Sequence, residues 1–263
     1  MNDLEAAFHQ YFEILTADTP KLLEAVYDLR YRVLCIHNAT PGFDMTKYPN
    51  KLENDGYDNR STHLLLRHRP TGIFIGTTRL ILPDPKNSEI KFPTELRTRF
   101  YPGFVLNESS RKYTAEISRF VMLNDFFKRK GEQNMLSQSI ETEQKTQERR
   151  RFPHPMLALV VGIAQLCARH HVYHVISSME PALNRLLGFY GLQLNPVGPS
   201  ADYHGLRTPY YVYLLDMLDR MYQEHRTIWE LVTDHGKIWP ADLISMRRKS
   251  LIAYQPNKTC ISG

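Results

Sequence analysis

The spacing of apolar and polar positions predicts helices and strands alternating around two long polar stretches. Residues 3–15 and 21–34 read as helices. The second has Thr19 as its N-cap and Pro20 at the first helical position, and Leu22, Leu23, Val26, Leu29, Tyr31 and Val33 form its apolar stripe. Residues 37–60, rich in Pro, Gly, Asn and Asp, read as a long loop of the kind that often carries function. Strands follow at 62–68 and 72–82, joined by the hairpin signal Arg69-Pro70-Thr71-Gly72. Residues 83–112 are polar and irregular, and 113–122 read as a further strand. Residues 124–152 form a polar insertion at the surface.

The remainder alternates helix and strand. Pro155–His170 is a strongly apolar helix through Met156, Leu157, Leu159, Val160, Ile163, Leu166 and Cys167. Tyr173–Ser177 is a short strand, and Pro181 opens a helix that stops at Gly188-Phe189-Tyr190-Gly191. Leu192–Val197 and Tyr210–Leu215 are candidate strands, with two helices beyond Asp216 and a basic tail at Arg247, Arg248 and Lys249. This order predicts a layered α/β domain whose mixed sheet is flanked by helices. We read one domain, residues 1–263, with a core over about 20–216 and a C-terminal helical extension over 217–263.

Composition narrows the class. The 263 residues are 42% hydrophobic and 23% charged, as in a soluble globular protein. Cys35, Cys167 and Cys260 are an odd set without metal-like spacing, which points to a reducing compartment. The N-terminus has Asp3 and Glu5 in place of a basic leader, and no segment approaches the ~18 apolar residues of a spanning helix. A cytoplasmic protein without stable membrane insertion is expected. A net charge of +5 permits an acidic partner without demanding nucleic acid. His170, His171 and His174 lack a fourth metal ligand at suitable spacing and read as histidines at a helix end. Cys35 and Cys167 read as core residues rather than nucleophiles.

The stretch with most chemistry is Ala115-Glu116-Ile117-Ser118-Arg119-Phe120-Val121. Alternation along a strand puts Glu116 and Ser118 on one face, with Ile117 and Arg119 on the other. Burying Glu and Arg in an apolar strand costs several kcal/mol unless they are paired or used. A structural ion pair is one explanation. A second constellation upstream holds the same chemistry: Leu29-Arg30-Tyr31-Arg32-Val33-Leu34, then Glu53-Asn54-Asp55-Gly56-Tyr57-Asp58, then Gly76-Thr77-Thr78-Arg79-Leu80.

Taken in order, these pieces resemble the acyl-homoserine-lactone (autoinducer) synthases. They resemble equally the N-acyl amino acid synthases and the acyltransferases linked to PEP-CTERM exosortase systems. The resemblance covers roughly residues 22–215 and implies the Gcn5-related N-acetyltransferase (GNAT) fold. It implies an N-acyltransferase that moves a long-chain fatty acyl group from acyl carrier protein to the amine of an amino acid. No cofactor is implied beyond the carrier's acyl-phosphopantetheine, which is the donor substrate. The helix after the fourth strand opens with Phe152-Pro153-His154-Pro155, without the glycines of an acetyl-CoA pyrophosphate loop, and this suits a carrier-bound chain. Three departures from the lactone synthases make S-adenosylmethionine a poorer acceptor than a plain amino acid. Leu34 stands where that family usually has phenylalanine, Cys35-Ile36-His37-Asn38-Ala39 lacks its tryptophan, and the loops at 83–112 and 124–152 are long.

Acyl transfer to an amine needs a base, donors for an oxyanion and groups to match the acceptor's charges. The resemblance places a catalytic glutamate at Glu116, where burial is expected to raise its pKa. An ion pair with Arg119 or Arg79 is the competing role. Ser118 joins the catalytic set beside it. Arg79 and Arg119 are candidates for binding the acceptor carboxylate, or for pairing with Asp55 and Asp58 to order the loop. Asp55 and Asp58 are placed to hold the α-ammonium or move its proton, or to form Asx turns beside Gly56. Arg30 either tethers the N-terminal helix to the loop or is solvated, with Arg32 in its place. Lys128, Arg129, Lys130, Arg149, Arg150 and Arg151 form the expected carrier-protein surface, and the helix at 156–167 would wall an acyl tunnel. Two other readings stay open: a lactone synthase using S-adenosylmethionine, and a non-catalytic lipid-binding module of the same fold.

Overall fold

The structure, a computed structural model, describes residues 3–87, 89–123 and 155–238. The chain divides into two compact units, Met1–Leu80 with Ile117–Leu166 and Ile81–Glu116 with Cys167–Gly263.

In the first unit, helix α1 (Asp3–Tyr11) ends where the sequence suggested it would continue. Phe12–Thr16 instead forms strand β1, which pairs antiparallel with β2 (Ser61–His68) from Phe12↔His68 to Thr16↔Leu64. The run Phe12-Glu13-Ile14-Leu15 fits either period, and the partner strand decided. Helix α2 (Pro20–Arg30) starts as expected, with Thr19 Oγ1 accepting from Leu22 N at 3.3 Å. It runs on as a widened π turn, Tyr31–His37, closed by Asn38 N–H donating to Val33 O at 2.9 Å. Val26, Leu29, Tyr31, Val33, Leu34, Cys35 and Phe43 form a core with Leu65 and Val121. Strand β3 (Ile73–Ile81) lies next to β2, and the short connection 69–72 makes them a hairpin.

Strand β4 (Thr114–Met122) neighbours β3. Leu123 N donates to Ile75 O at 2.8 Å and Thr78 Oγ1 to Ser118 O at 3.4 Å, so the two strands run in opposite directions. The expected alternation along β4 fails at Arg119, whose φ of 52° is left-handed. Ser118 and Arg119 consequently reach the same cluster of side chains rather than opposite faces. Helix α5 (Pro155–Arg169) packs on this part of the sheet through small residues. A Cβ on Gly162 would stand 2.6 Å from Leu64 Cδ1, and one on Gly76 would meet Leu159.

In the second unit, the stretch expected to be irregular contains two short helices, α3 (Pro93–Arg97) and α4 (Glu108–Arg111). The start of β4 pairs in parallel with β5 (His174–Met179), from Thr114↔His174 to Glu116↔Ile176. Helix α6 (Pro181–Gly188) stops as expected, with Gly191 at φ 75°. The strand expected at 192–197 shrinks to β6 (Asn195–Pro196), and β7 (Ala201–Asp202) is equally short. Strand β8 (Leu206–Tyr213) pairs antiparallel with β5, β6 and β7. Leu214 and Leu215, read as strand, open helix α7 (Leu214–Glu224), because Leu214, Leu215, Leu218 and Met221 are buried at helical spacing. Helix α8 (Arg226–Thr233) follows. The basic tail and the polar insertion lie outside the described residues.

The hydrogen-bonded order is β1-β2-β3-β4 for the strands of the first unit and β4-β5-β8-β6, with β7 on β8, for those of the second. This is a mixed sheet flanked by helices, as the element order implied. Among the described residues no helix is long and apolar enough to cross a membrane.

Candidate active site

The first unit buries a network of alternating charges. Arg30, at the end of α2, donates Nε to Glu53 and Nη1 to Asp58 Oδ1 at 2.8 Å. Arg79, on β3, donates Nη1 to Asp55 Oδ1 at 2.6 Å and to Asp58 Oδ1 at 2.8 Å, and Nε to Ser118 Oγ at 3.0 Å. Arg119 donates Nη2 to Glu53 Oε1 at 3.0 Å and to Asp55 Oδ2 at 2.9 Å. Arg30 and Arg79 are essentially inaccessible, as are Glu53 and Asp58. Asp55 and Arg119 keep side-chain exposures of 27% and 12%.

The loop carrying the acids is shaped by its own side chains. Asp55 caps the short 3₁₀ turn Gly56–Arg60, accepting from Tyr57 N at 2.9 Å, while its own N–H donates to Asp58 Oδ2 at 2.7 Å. The aspartates therefore serve as turn formers and as partners of arginine at once. Arg30 tethers helix to loop, whereas Arg32 lies half exposed beside Asp28. Both Arg79 and Arg119 pair with the loop acids.

Burial works against the charges of Arg30, Arg79, Glu53, Asp55 and Asp58, yet mutual attraction wins. The guanidinium groups of Arg30 and Arg79 hold the Asp58 carboxyl well below its ordinary range, and Arg30 and Arg119 lower that of Glu53. Arg79 is pushed up by Asp55 and Asp58. Arg30, Arg79 and Arg119 balance Glu53, Asp55 and Asp58. Net neutrality is what makes such burial tolerable.

Sequence reasoning gave no role to Glu53, to His63 or to Phe43. Burying three arginines calls for three carboxylates, and Glu53 stands in the same motif as Asp55 and Asp58. That charge balance was the available signal. His63, on β2, is 2% exposed, and its Nε2 lies 3.7 Å from Asp58 Oδ1. Burial first, then repulsion by Arg30 and Arg79, pulls its pKa down to about 4. Phe43 stacks under Arg119, with Cζ 4.7 Å from the ring centroid. Nothing in the local sequence announced either contact.

Glu116 lies two positions before Ser118 on β4, in the second unit. It is 2% exposed, and its Oε2 accepts from Thr94 N at 2.9 Å. Thr94 Oγ1 donates in turn to Ser178 Oγ at 3.1 Å. Arg79 and Arg119, first suggested as partners of Glu116, pair with the loop acids, and the first turn of α3 donates to Glu116. His174, grouped with helix-end histidines, instead begins β5 and is buried, with Nδ1 2.8 Å from Tyr211 Oη. Cys35 and Cys167 are buried, and burial pushes the Cys167 thiol up to about 12, far from a nucleophile's range. Lys128, Arg129, Lys130, Arg149, Arg150 and Arg151 lie outside the described residues.

Comparison with known proteins bears on the fold. A family model for the acetyltransferase (GNAT) domain matches residues 29–137. No curated protein matches the sequence. Among solved structures, TofI in a ternary complex with an inhibitor and MTA is 16% identical, with a TM-score of 0.53 over 80% of this chain and 96% of that one. BjaI with MTA, a CoA-dependent acyl-homoserine lactone synthase, is 17% identical, with a TM-score of 0.51 over 92% of this chain and 99% of that one. FeeM, an N-acyl amino acid synthase from uncultured soil microbes, is 11% identical over 81% of this chain and 96% of that one. Its TM-score is 0.48. Residues 29–137 thus match the acetyltransferase (GNAT) domain model, and the chain shares the fold of TofI and of the acyl-homoserine lactone synthase BjaI.

Proposed function

We propose that the chain transfers a fatty acyl group from acyl carrier protein to the amine of a free amino acid. The observation that carries this reading is the Asp55–Arg119 pair, 2.9 Å long and the most accessible part of an otherwise sealed network. A free amino acid brings the same two charges in reverse. Its carboxylate suits the fork of Arg119, and its ammonium suits Asp55. Exchange of partners conserves the charge balance, whereas a plain amine would leave Arg119 short of one. Arg79 and Arg30 hold Asp55 and Asp58 in place rather than meeting the substrate.

Glu116 takes the ammonium proton. The amine nitrogen then attacks the thioester carbonyl and the C–N bond forms. The nitrogen gives up a second proton as the C–S bond breaks, so that one of the two protons goes to the departing phosphopantetheine sulfur and the other to solvent. Products are an N-acyl amino acid and the free carrier thiol. Ser118, which accepts from Arg79, positions that arginine.

The test is mass spectrometry of products from carrier protein loaded with mixed acyl chains and pooled amino acids. Acyl-CoA serves as the alternative donor and S-adenosylmethionine as the alternative acceptor. N-acyl amino acids should form, decarboxylated amines should react poorly, and Arg119→Lys should erase that preference. Glu116→Gln should cut turnover at least ~100-fold in a folded protein. Faster formation of a lactone from S-adenosylmethionine than of any acyl amino acid would overturn the acceptor. Tight binding of acyl chains without turnover would make the chain a lipid-binding module.

A further inference from the structure

We infer that Arg111 and Glu95 form a positioning pair that holds helix α3 so that its Thr94 amide points at the Glu116 carboxylate; this rests on Glu116 being the base. A helix of five residues is not stable by itself, and its geometry comes from what grips it. Arg111 grips Glu95 bidentately, Nη1 to Oε2 at 2.9 Å and Nη2 to Oε1 at 2.6 Å, with side-chain exposures of only 11% and 9%. Glu95 Oε2 also accepts from Phe92 N at 2.8 Å, which closes the first turn around Pro93, and Phe92 itself is fully buried. Thr98 Oγ1 donates to Thr94 O at 2.7 Å.

Arg111 and Glu116 belong to one short segment. Thr114 Oγ1 donates to Ser110 O at 2.8 Å, locking the turn between α4 and β4. Segment 111–116 therefore holds α3 twice, through Glu95 and through Thr94. Two grips from one rigid piece define the direction of the Thr94 N–H. That N–H holds Glu116 Oε2, and the contact of the Thr94 hydroxyl with Ser178 Oγ fixes Thr94 itself. A base displaced by an ångström from its proton loses much of its effect. The buried Arg111–Glu95 bridge meets that requirement.

The test compares Arg111→Met, Arg111→Lys and Glu95→Gln, alone and combined with Glu116→Gln, in the full chain. Steady-state kinetics are measured for both substrates, and folding is followed by circular dichroism. Arg111→Met should lower kcat about tenfold or more while the KM for the amino acid stays within about twofold. Arg111→Lys, which keeps the charge but not the fork, should recover part of the loss. In the Glu116→Gln background Arg111→Met should lower the residual rate no further. Should Arg111→Met fail to fold, Glu95→Gln makes the same comparison, because Gln can still accept from Phe92 N. An equal loss with or without Glu116, or a raised KM at unchanged kcat, would overturn the pair's role while leaving the base in place. Full activity in Glu116→Gln alone would remove the base itself, a separate failure.

Discussion

Replacing Arg30 by Met tests the charge network most directly. The methionine stem fills the space of the arginine stem, so the change is chiefly one of charge. Arg30 is fully buried and serves Glu53 and Asp58. Its removal turns a balanced set into one with a single uncompensated negative charge in a dry environment. Breaking a buried pair in this way costs about 3–5 kcal/mol. The low end applies here, because Glu53 keeps Arg119 at 3.0 Å and Asp58 keeps Arg79 at 2.8 Å. His63 adds a pH dependence. It sits 3.7 Å from Asp58 and is neutral in the native protein because of burial and because of Arg30 and Arg79. Without Arg30 its folded-state pKa rises, so the folded variant takes up a proton that the native protein refuses. Linkage then stabilises the variant relative to the native protein as pH falls, by about 1.4 kcal/mol per pKa unit recovered. Urea unfolding followed by circular dichroism should give a loss of about 3 kcal/mol at pH 8 and about 1–2 kcal/mol less at pH 5. A loss below about 1 kcal/mol at pH 8 would refute the buried network. An equal loss at both pH values would refute the part given to His63.

The unmodified protein should itself be acid-labile. His63 and His174 have folded pKa values of about 4 against an ordinary 6.5, so the unfolded chain binds protons first and stability falls between those pH values. Each contributes up to about 3 kcal/mol, and urea midpoints that stay flat from pH 7 to pH 4.5 would contradict this. The lowered carboxyls of Glu53, Asp55 and Asp58 act in the same sense at still lower pH, where they must take up protons to unfold. Gly198→Ala should destabilise by at least about 1–3 kcal/mol, because the new Cβ would lie 1.9 Å from the Arg99 carbonyl oxygen. Tyr101 N donates to Val197 O at 2.7 Å beside it, so segment 99–104 should lose hydrogen-exchange protection.

Much of the fold is legible because its signals are local. Thr19-Pro20 starts α2, Arg69-Pro70-Thr71-Gly72 turns the β2–β3 hairpin, and Pro181 and Gly191 bound α6. These residues act through their own φ angles and hydrogen bonds, which need no distant partner. Phe12–Leu15 was misread because a short apolar run suits helix and strand equally, and only pairing with Leu65–His68 makes it a strand. Leu214 and Leu215 changed element for the related reason that an apolar pair at a strand end also opens a buried helix face.

The sequence by itself determined which chemistry is present: acids in 53–58 and arginines at 30, 79 and 119, with Glu116 and Ser118 on one strand. It determined too that so many charges among apolar residues must balance. The tertiary structure alone decided how they balance. The left-handed Arg119 turns its guanidinium to Glu53 and Asp55, a choice that period-two alternation contradicts. It buries Arg79 and Asp58 while leaving Arg119 and Asp55 within reach of solvent, and it gives Glu116 the Thr94 amide as donor. Electrostatic pairing and burial depend on distances between segments far apart in sequence. Periodicity and motif carry no information about those distances.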